Sequence, residues 1–330
     1  MDTRMNTKRI LIFLVFAFGI PWTAVLVLYL TIGVNDPRIG GLANIFALTG
    51  PGLANVATRL ITREGRRNLR LRPNFRGGWR FYLAAWLLPF LAVILGGTIY
   101  YLLFPQSFDA NLEAARNAVA SIPSLVAANS WTLILISTMN ALIIGLVYHS
   151  SIAIGEEFGW RAYLLPKLME RFTGAEPASG SAEETVPADL YTAGARKAAL
   201  LIGVIWGVWH WPGDIIAIMI NPGTPIFLLL VRLVSSCSLS VLLCWVTLRS
   251  RSVWPASIGH GLFNATIQLS WNMLKGPPNV LLGPQSSGLI GGLGFLALAL
   301  VLLFSRRAFV GGKQPAGSGN PQTKEYSTLV

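Results

Sequence analysis

The chain has 330 residues, of which 53% are hydrophobic and only 12% are charged. A soluble domain carries about 25% charged residues, so this composition and the mean hydropathy of +0.56 exclude an ordinary soluble protein. The formal net charge of +12 would suit nucleic-acid binding, but the basic residues are concentrated in a few loops, as the positive-inside rule predicts for a membrane protein. We therefore expect membrane lipid, and no nucleic acid, as a partner.

Apolar runs long enough to cross ~30 Å of hydrocarbon predict an all-α fold, a polytopic transmembrane helix bundle of about eight spans. The predicted spans are residues 10–32, 42–61, 81–104, a fourth beginning near 131, and then 198–220, 227–248, 253–274 and 287–304. Residues 105–130 are predicted to form an outside loop with a pattern that suits a short surface helix. Residues 275–286, rich in Pro and Gly, are predicted to form an outside turn.

An arginine-rich loop provides the strongest orientation signal. Its basic residues are Arg59, Arg63, Arg66, Arg67, Arg70, Arg72, Arg76 and Arg80. Such a loop is expected on the cytoplasmic side, which places both the N-terminus and the C-terminus there. Residues 173–195 are predicted to be a mobile cytoplasmic loop because they are rich in small, polar and acidic residues, and residues 311–330 are predicted to be a disordered tail.

Two adjacent carboxylates and an arginine stand at the cytoplasmic end of the predicted fourth span, where charges near hydrocarbon are costly. Glu157 and Arg161 are spaced i,i+4, so they share a helix face and can pair. Glu156 points about 100° away from Glu157 around the helix. We therefore predict that Glu157 is paired and supporting, and that Glu156 is free to face a pocket.

Two histidine sites follow on later spans. His210, surrounded by Trp206 and Trp209, lies ~18 Å along the fifth span from its predicted cytoplasmic end, at ~1.5 Å per residue. His260 and Asn264 share one face of the seventh span, ~10 and ~16 Å along it. Allowing for helix tilt, all of these positions fall in the inner half of the membrane, so we expect them to converge with the carboxylates on one pocket.

This set of side chains suits a hydrolase that has no Ser or Cys nucleophile. A carboxylate and a neutral imidazole, Glu156 and His210, can polarise a water for attack on a carbonyl. A second histidine and an amide, His260 and Asn264, can donate hydrogen bonds to the oxyanion that forms. No G-x-S-x-G elbow is present in the sequence.

Two other interpretations of these residues stay open. Glu156, His210 and His260 are adequate zinc ligands, although the HExxH motif is absent and the ligands would come from separate helices. No cofactor is the preferred prediction, with zinc as its rival. Each motif alone is also compatible with a purely structural role, and we predict that role for His149, the third histidine.

Together, the three motifs resemble the CAAX protease and bacteriocin-processing family of intramembrane proteases. That family shows EExxxR, then F/W-x-x-x-H, then H-x-x-x-N/D on successive transmembrane helices. Here they stand as EEFGWR at 156–161, WGVWH at 206–210 and HGLFN at 260–264. The resemblance covers about residues 131–275, which we expect to form the core, after N-terminal spans in 1–130 and before a last span in 276–310. Ala162 replaces the glycine that commonly follows the motif arginine.

The resemblance implies a peptidase that faces the cytoplasm. It assigns water activation to Glu156 and His210, the oxyanion site to His260 and Asn264, and supporting roles to Glu157 and Arg161. The implied substrates are prenylated CAAX-type proteins, cut just after the lipid-bearing Cys, or bacteriocin-like peptides.

The predicted substrate is a peptide or protein that enters from the membrane or the cytoplasmic face, and the predicted location is a prokaryotic plasma membrane. The alternatives are a non-catalytic immunity or scaffold protein of the same family, a zinc-dependent version of the same protease, or a transporter. A transporter is disfavoured because the sequence shows no internal repeat.

Overall fold

The computed structural model describes residues 3–33, 36, 38–66, 68–174, 187–221 and 223–310. This part of the chain is helical, with isolated bridges in place of strands, which confirms the all-α prediction. The predicted disordered tail, 311–330, lies outside the described residues. Most of the predicted mobile loop, namely 175–186, also lies outside them.

Twelve α-helices are described. They are α1 (Thr3–Ile32), α2 (Ile39–Ile61), α3 (Phe75–Leu103), α4 (Glu113–Ala118), α5 (Pro123–Val126), α6 (Ser130–Ile144), α7 (Ser150–Gly159), α8 (Leu165–Thr173), α9 (Ala188–Ile220), α10 (Leu228–Ser250), α11 (Trp254–Asn272) and α12 (Leu293–Phe304). The short helices α4 and α5 occupy the predicted outside loop and confirm a surface helix there.

Each predicted span falls on a described helix. Within the described residues, five helical segments are long and apolar enough to cross a membrane: Arg4–Ile32, Phe75–Leu103, Ser130–Thr173, Ala188–Ile220 and Leu228–Ser250. The protein is therefore an integral membrane protein. The count of about eight spans and the cytoplasmic placement of both termini stay predictions.

Two predicted boundaries are wrong. The fifth span was expected to start at 198, but α9 begins at Ala188, so residues 188–195 are helix rather than mobile loop. This segment is rich in alanine, the best helix former, and it buries Tyr191 and Ala195. The last span was expected at 287–304, but α12 has only 12 residues and begins at Leu293. The stretch before it contains three glycines, which favour turns over helix.

Close contacts at two glycines bring α2 and α11 against α7, the helix that carries the two carboxylates. A Cβ added at Gly52 of α2 would lie 2.7 Å from the carbonyl oxygen of Gly155. A Cβ added at Gly261 of α11 would lie 2.5 Å from the backbone nitrogen of Ser150. Larger side chains would force these helices apart, so both glycines help to set the position of the candidate site.

A buried ion cluster joins α1, the end of α2 and α8. Glu64, just after α2, forms ion pairs with Arg9 of α1 and Lys167 of α8, each at 3.0 Å. The Tyr163 hydroxyl donates a hydrogen bond to the same carboxylate at 2.7 Å. Burial raises the pKa of the Glu64 carboxyl, but these donors and cations outweigh it and hold the pKa below its usual value. The cluster thus ties the first two helices to the segment that follows the two carboxylates.

Candidate active site

The carboxylates lie within one long helical segment that π-helical turns interrupt twice. α6 begins after Asn129, whose side chain caps it by accepting a hydrogen bond from the backbone N–H of Thr132. The first π turn, Gly145–His149, precedes α7, and the second, Trp160–Leu164, separates α7 from α8. Such turns are frequent at functional sites. Here they flank α7, whose last turn presents the carboxylates.

Glu157 is fully buried in the protein. Its Oε1 accepts a hydrogen bond from Nη1 of Arg161 at 2.9 Å, and both side chains are fully buried. This confirms the i,i+4 pairing that the spacing predicts. The same oxygen also lies 2.9 Å from Nδ1 of His260 on α11. Glu157 therefore joins the first and third motifs, a contact that helix periodicity alone does not predict.

Several atoms of this ion pair have no hydrogen-bond partner in the described part of the chain. They are Oε2 of Glu157 and both Nε and Nη2 of Arg161. Buried polar groups in native proteins are nearly always satisfied. The ion pair therefore keeps unused hydrogen-bonding capacity next to His260.

Glu156 has a different environment. Its Oε2 accepts a hydrogen bond from the indole N–H of Trp206 at 2.8 Å, and the carboxylate is 3% exposed. In the described part of the chain no hydrogen bond reaches its other oxygen, Oε1. The two neighbouring carboxylates thus differ as the helix geometry predicts: Glu157 pairs with a cation, and Glu156 keeps one oxygen free to accept a proton.

Trp206 contacts four of the predicted site residues. Besides its hydrogen bond to Glu156, its ring lies 5.1 Å from that of His260 and 5.6 Å from that of His210, centroid to centroid. The Arg161 guanidinium carbon lies 4.7 Å from the centre of the same ring, a cation–π contact. One indole therefore brings side chains from α7, α9, α11 and the second π turn together.

Sequence reasoning placed Trp206 beside His210 but gave it no function of its own. A signal was available, since Trp206 and His210 are spaced i,i+4 and share a face of α9. The partner of its N–H, however, depends on a side-chain rotamer that sequence periodicity does not reveal.

The remaining predicted residues are less closely tied to this group. His210 is half-buried between the Trp206 and Trp209 rings and, within the described residues, makes no hydrogen bond. Asn264 is half-buried one turn after His260 on α11, and its amide likewise has no partner among the described residues. His149 packs edge-on against Tyr148. No hydrogen bond joins His149 to the carboxylates in the described part of the chain, and its structural role stays a prediction.

The zinc alternative concerns Glu156, His210 and His260. Among the described residues, no three His, Cys, Asp or Glu side chains are grouped so that they could hold a metal ion. We therefore derive no step through a metal.

The arrangement instead combines three elements that hydrolysis needs. A buried carboxylate with a free oxygen can take a proton from water. Half-buried polar side chains on α9 and α11, His210 and Asn264, make no hydrogen bond within the described residues. An ion pair, Glu157 with Arg161, holds the second histidine in place.

Comparison with known families gives one match. Residues 138–266 match the family model described as Type II CAAX prenyl endopeptidase Rce1-like. This range contains all three motifs and confirms the resemblance that they predict. No curated protein matches the chain. Because the matched family consists of proteases, the match supports an intramembrane protease of the CAAX type.

Proposed function

We propose that this protein is an intramembrane endopeptidase that hydrolyses a peptide bond near the cytoplasmic face of the membrane, with water activated by Glu156 and His210. One observation carries the proposal: the Trp206 indole contacts Glu156, His210 and His260, which come from three different helices. Charged groups are expensive inside a membrane segment. A convergence of this kind is therefore better explained by chemistry than by packing.

In the proposed reaction, Glu156 is the general base. It accepts a proton from the attacking water on its free oxygen, while the indole N–H of Trp206 fixes the other oxygen. His210, as a neutral imidazole, accepts a hydrogen bond from the same water and orients it. The new C–O bond gives a tetrahedral oxyanion, and Glu156 then returns the proton to the leaving amine as the C–N bond breaks.

The oxyanion is stabilised from α11. With one N–H donated to Glu157 through Nδ1, a doubly protonated His260 donates its second N–H to the oxyanion, and the Glu157 carboxylate balances the imidazolium charge. Asn264, one turn further along, supplies a second donor. Arg161 holds Glu157 in position through their ion pair. Electrostatic stabilisation of this type contributes about 3–4 kcal/mol per donor in other hydrolases.

The substrate we propose is a lipid-modified protein of the CAAX type, with a bacteriocin-like peptide as the runner-up. The segment that matches the prenyl endopeptidase family supports the first choice. We place the active site on the cytoplasmic side of a prokaryotic plasma membrane, because the arginine-rich loop and the other basic clusters all fall on one side of the predicted topology.

Matched histidine variants test the proposal. Purified protein in liposomes should cleave a fluorogenic prenylated peptide, and His210→Ala should lower kcat by at least about 10²-fold, the usual contribution of a group that handles protons. His149→Ala, which changes the histidine that the proposed mechanism does not use, should keep near wild-type activity. Equal activity of His210→Ala and the wild type would contradict the proposal, as would equal losses in the two variants.

A chelator distinguishes the zinc-dependent version. In the proposed mechanism, prolonged treatment with a strong chelator leaves kcat unchanged. Loss of activity that added zinc restores would assign Glu156, His210 and His260 to a metal instead. A non-catalytic scaffold would show no cleavage in any of these assays.

A further inference from the structure

The helix that carries the two carboxylates, α7, is joined at both ends to neighbouring helices by buried side chains. At its start, the hydroxyl of Ser257 on α11 donates a hydrogen bond to the backbone carbonyl of Ser150 at 2.6 Å. At its end, Nδ2 of Asn55 on α2 donates one to the backbone carbonyl of Phe158 at 2.8 Å. Ser257 and Asn55 are both fully buried. The proposed mechanism uses neither side chain.

The carbonyl that receives the Asn55 bond lies where the backbone hydrogen-bond pattern of this segment changes. Phe158 comes two residues before the second π turn, Trp160–Leu164. At the end of that turn, the N–H of Leu165 bonds to the carbonyl of Trp160, five residues back rather than four. Because helices bend at such turns, the Asn55 bond acts where the orientation of α7 depends least on its own backbone.

The orientation of the Asn55 amide is fixed by a second partner. Its Oδ1 accepts a hydrogen bond from Nε of Arg59, one turn further along α2, at 2.7 Å. Because a guanidinium can only donate hydrogen bonds, the amide must present its oxygen to Arg59 and its nitrogen to Phe158. Arg59 in turn donates from Nη1 to the carbonyl of Gly65 at 3.1 Å. The amide is therefore held at both ends and forms a rigid link between α2 and α7.

Glycines bring the two helices close enough for this link. A Cβ added at Gly159 would collide with the carbonyl oxygen of Pro51, and the contact of Gly52 with Gly155 is of the same kind. Pro51 and Gly52 lie one turn before Asn55, on the same face of α2. Close packing of the backbones fixes the distance between the helices, whereas a directional hydrogen bond also fixes how α7 is rotated about its axis.

We propose that Asn55 is a positioning residue that fixes the rotation of the last turn of α7 and so directs Glu156 towards the reacting water. This inference rests on the proposed function and adds a residue to it. A helix with its side chains is about 10–12 Å across, so a rotation of about 20° moves a carboxylate at its edge by about 2 Å. Such a shift would break the 2.8 Å hydrogen bond from Trp206 to Glu156, because N–H···O bonds extend only to about 3.2 Å. It would break the bond between His260 and Glu157 in the same way.

A bond of the same kind occurs away from the carboxylates and provides a matched control. Asn6 on α1, which is also buried, donates from Nδ2 to the carbonyl of Lys167 on α8 at 3.0 Å. Lys167 lies beyond the second π turn, so this bond joins two helices without involving α7. Asn6→Leu and Asn55→Leu each keep the approximate volume of the side chain and remove one buried hydrogen bond from an amide to a carbonyl.

The test compares the kinetics of these two variants on the fluorogenic prenylated peptide. Asn55→Leu should lower kcat about 10- to 100-fold, because a misplacement of about 1 Å in an active site can cost that much, and KM should stay within about twofold of the wild type. Asn6→Leu should keep kcat within about twofold of the wild type, although it removes the same kind of bond. Equal kcat values for the two variants, or a loss confined to KM, would overturn the inference.

A spectroscopic measurement separates positioning from a general loss of stability. The indole N–H of Trp206 gives a signal in proton–nitrogen correlation NMR spectra, which can be identified by its absence in Trp206→Phe. Because this N–H is bonded to Glu156, its signal should shift in Asn55→Leu and keep its wild-type position in Asn6→Leu. An unshifted signal in Asn55→Leu would overturn the inference without any measurement of activity.

A second variant keeps the test decisive when Asn55→Leu does not fold. Asn55→Asp keeps the shape of the side chain and the acceptor for Arg59 but lacks the donor to Phe158, so the same loss of kcat and the same shift are expected. If the wild type cleaves the peptide and Asn55→Leu changes neither kcat nor the indole signal, this inference alone is refuted. If the signal shifts but the wild type cleaves no peptide, only the proposed function is refuted.

Discussion

The substitution Trp206→Phe tests the hydrogen bond from the Trp206 indole to Glu156, a bond that Glu157 does not receive. Phenylalanine keeps an aromatic ring against His210, His260 and Arg161 but removes the indole N–H that donates to Oε2 of Glu156 at 2.8 Å. The carboxylate would then be free to rotate away from the attacking water. Trp206→Ala would be a poorer choice, since loss of the whole ring from a buried position costs about 3–5 kcal/mol.

The expected magnitude follows from that single bond. A hydrogen bond to a charged group contributes about 1.5–3 kcal/mol. If this energy is needed to hold the base in the transition state, kcat/KM should fall roughly 10- to 150-fold, at 1.36 kcal/mol for each factor of ten. The fall should appear mainly in kcat, because the indole N–H is bonded to Glu156 and is not available to bind the substrate.

Trp209→Phe is the matched control. Trp209 is on the same helix and also contacts the His210 ring, but its N–H donates to the backbone carbonyl of Ala17 at 2.8 Å. Its loss should lower the melting temperature slightly, since a neutral hydrogen bond contributes about 0.5–1.5 kcal/mol, with kcat/KM changed less than about twofold. The assay is cleavage of the fluorogenic peptide by protein whose melting temperature has been checked. Unchanged kcat/KM in Trp206→Phe, or an equal fall in Trp209→Phe, would refute the reasoning.

Two further predictions concern stability. Glu64→Gln should lower the free energy of unfolding by about 3–5 kcal/mol, because buried cations lose their counter-ion. The wild-type Glu64 carboxylate contributes this stability above its unfolded pKa and loses it as the pH falls through its lowered native pKa. The melting temperatures of the wild type and the variant should therefore converge as the pH is lowered from 7. A constant difference between the two melting temperatures would contradict the role of the cluster. Gly52→Ala should cost about 1–3 kcal/mol through overpacking, because its Cβ would meet the Gly155 carbonyl, whereas Gly97→Ala, with nothing within 4 Å, should be neutral. Equal melting temperatures for these two glycine variants would contradict the close contact of α2 with α7.

Much of the fold could be predicted because it depends on local patterns. Long apolar runs indicate helices regardless of their neighbours, and each predicted span lies on one. The errors fall where hydropathy is ambiguous. The stretch before Leu293 is apolar but contains three glycines, and turns replace the first part of the predicted span. The segment that begins at Ala188 is only weakly hydrophobic, yet it is helical because it is rich in alanine and packs part of its surface against the protein.

The site was predictable to a similar degree. The i,i+4 spacing correctly paired Glu157 with Arg161, since that contact lies within one helix turn. Contacts between helices depend on how each helix is rotated about its axis and on side-chain rotamers, which a single sequence does not specify. The His260–Glu157 and Trp206–Glu156 hydrogen bonds are of this kind. So is the pair formed by Asp214 and Arg232, which separate helices bring together.

The account depends most directly on Glu156 as the base that activates water. The decisive measurement is the initial rate of cleavage of a prenylated peptide by purified Glu156→Gln, alongside Glu113→Gln, an exposed glutamate at the start of α4. Glutamine keeps the size of the side chain and accepts the Trp206 hydrogen bond but cannot take a proton. We predict that Glu156→Gln loses about 10²- to 10⁴-fold in kcat, while Glu113→Gln matches the wild type. Cleavage by Glu156→Gln within twofold of the wild-type rate would contradict the account.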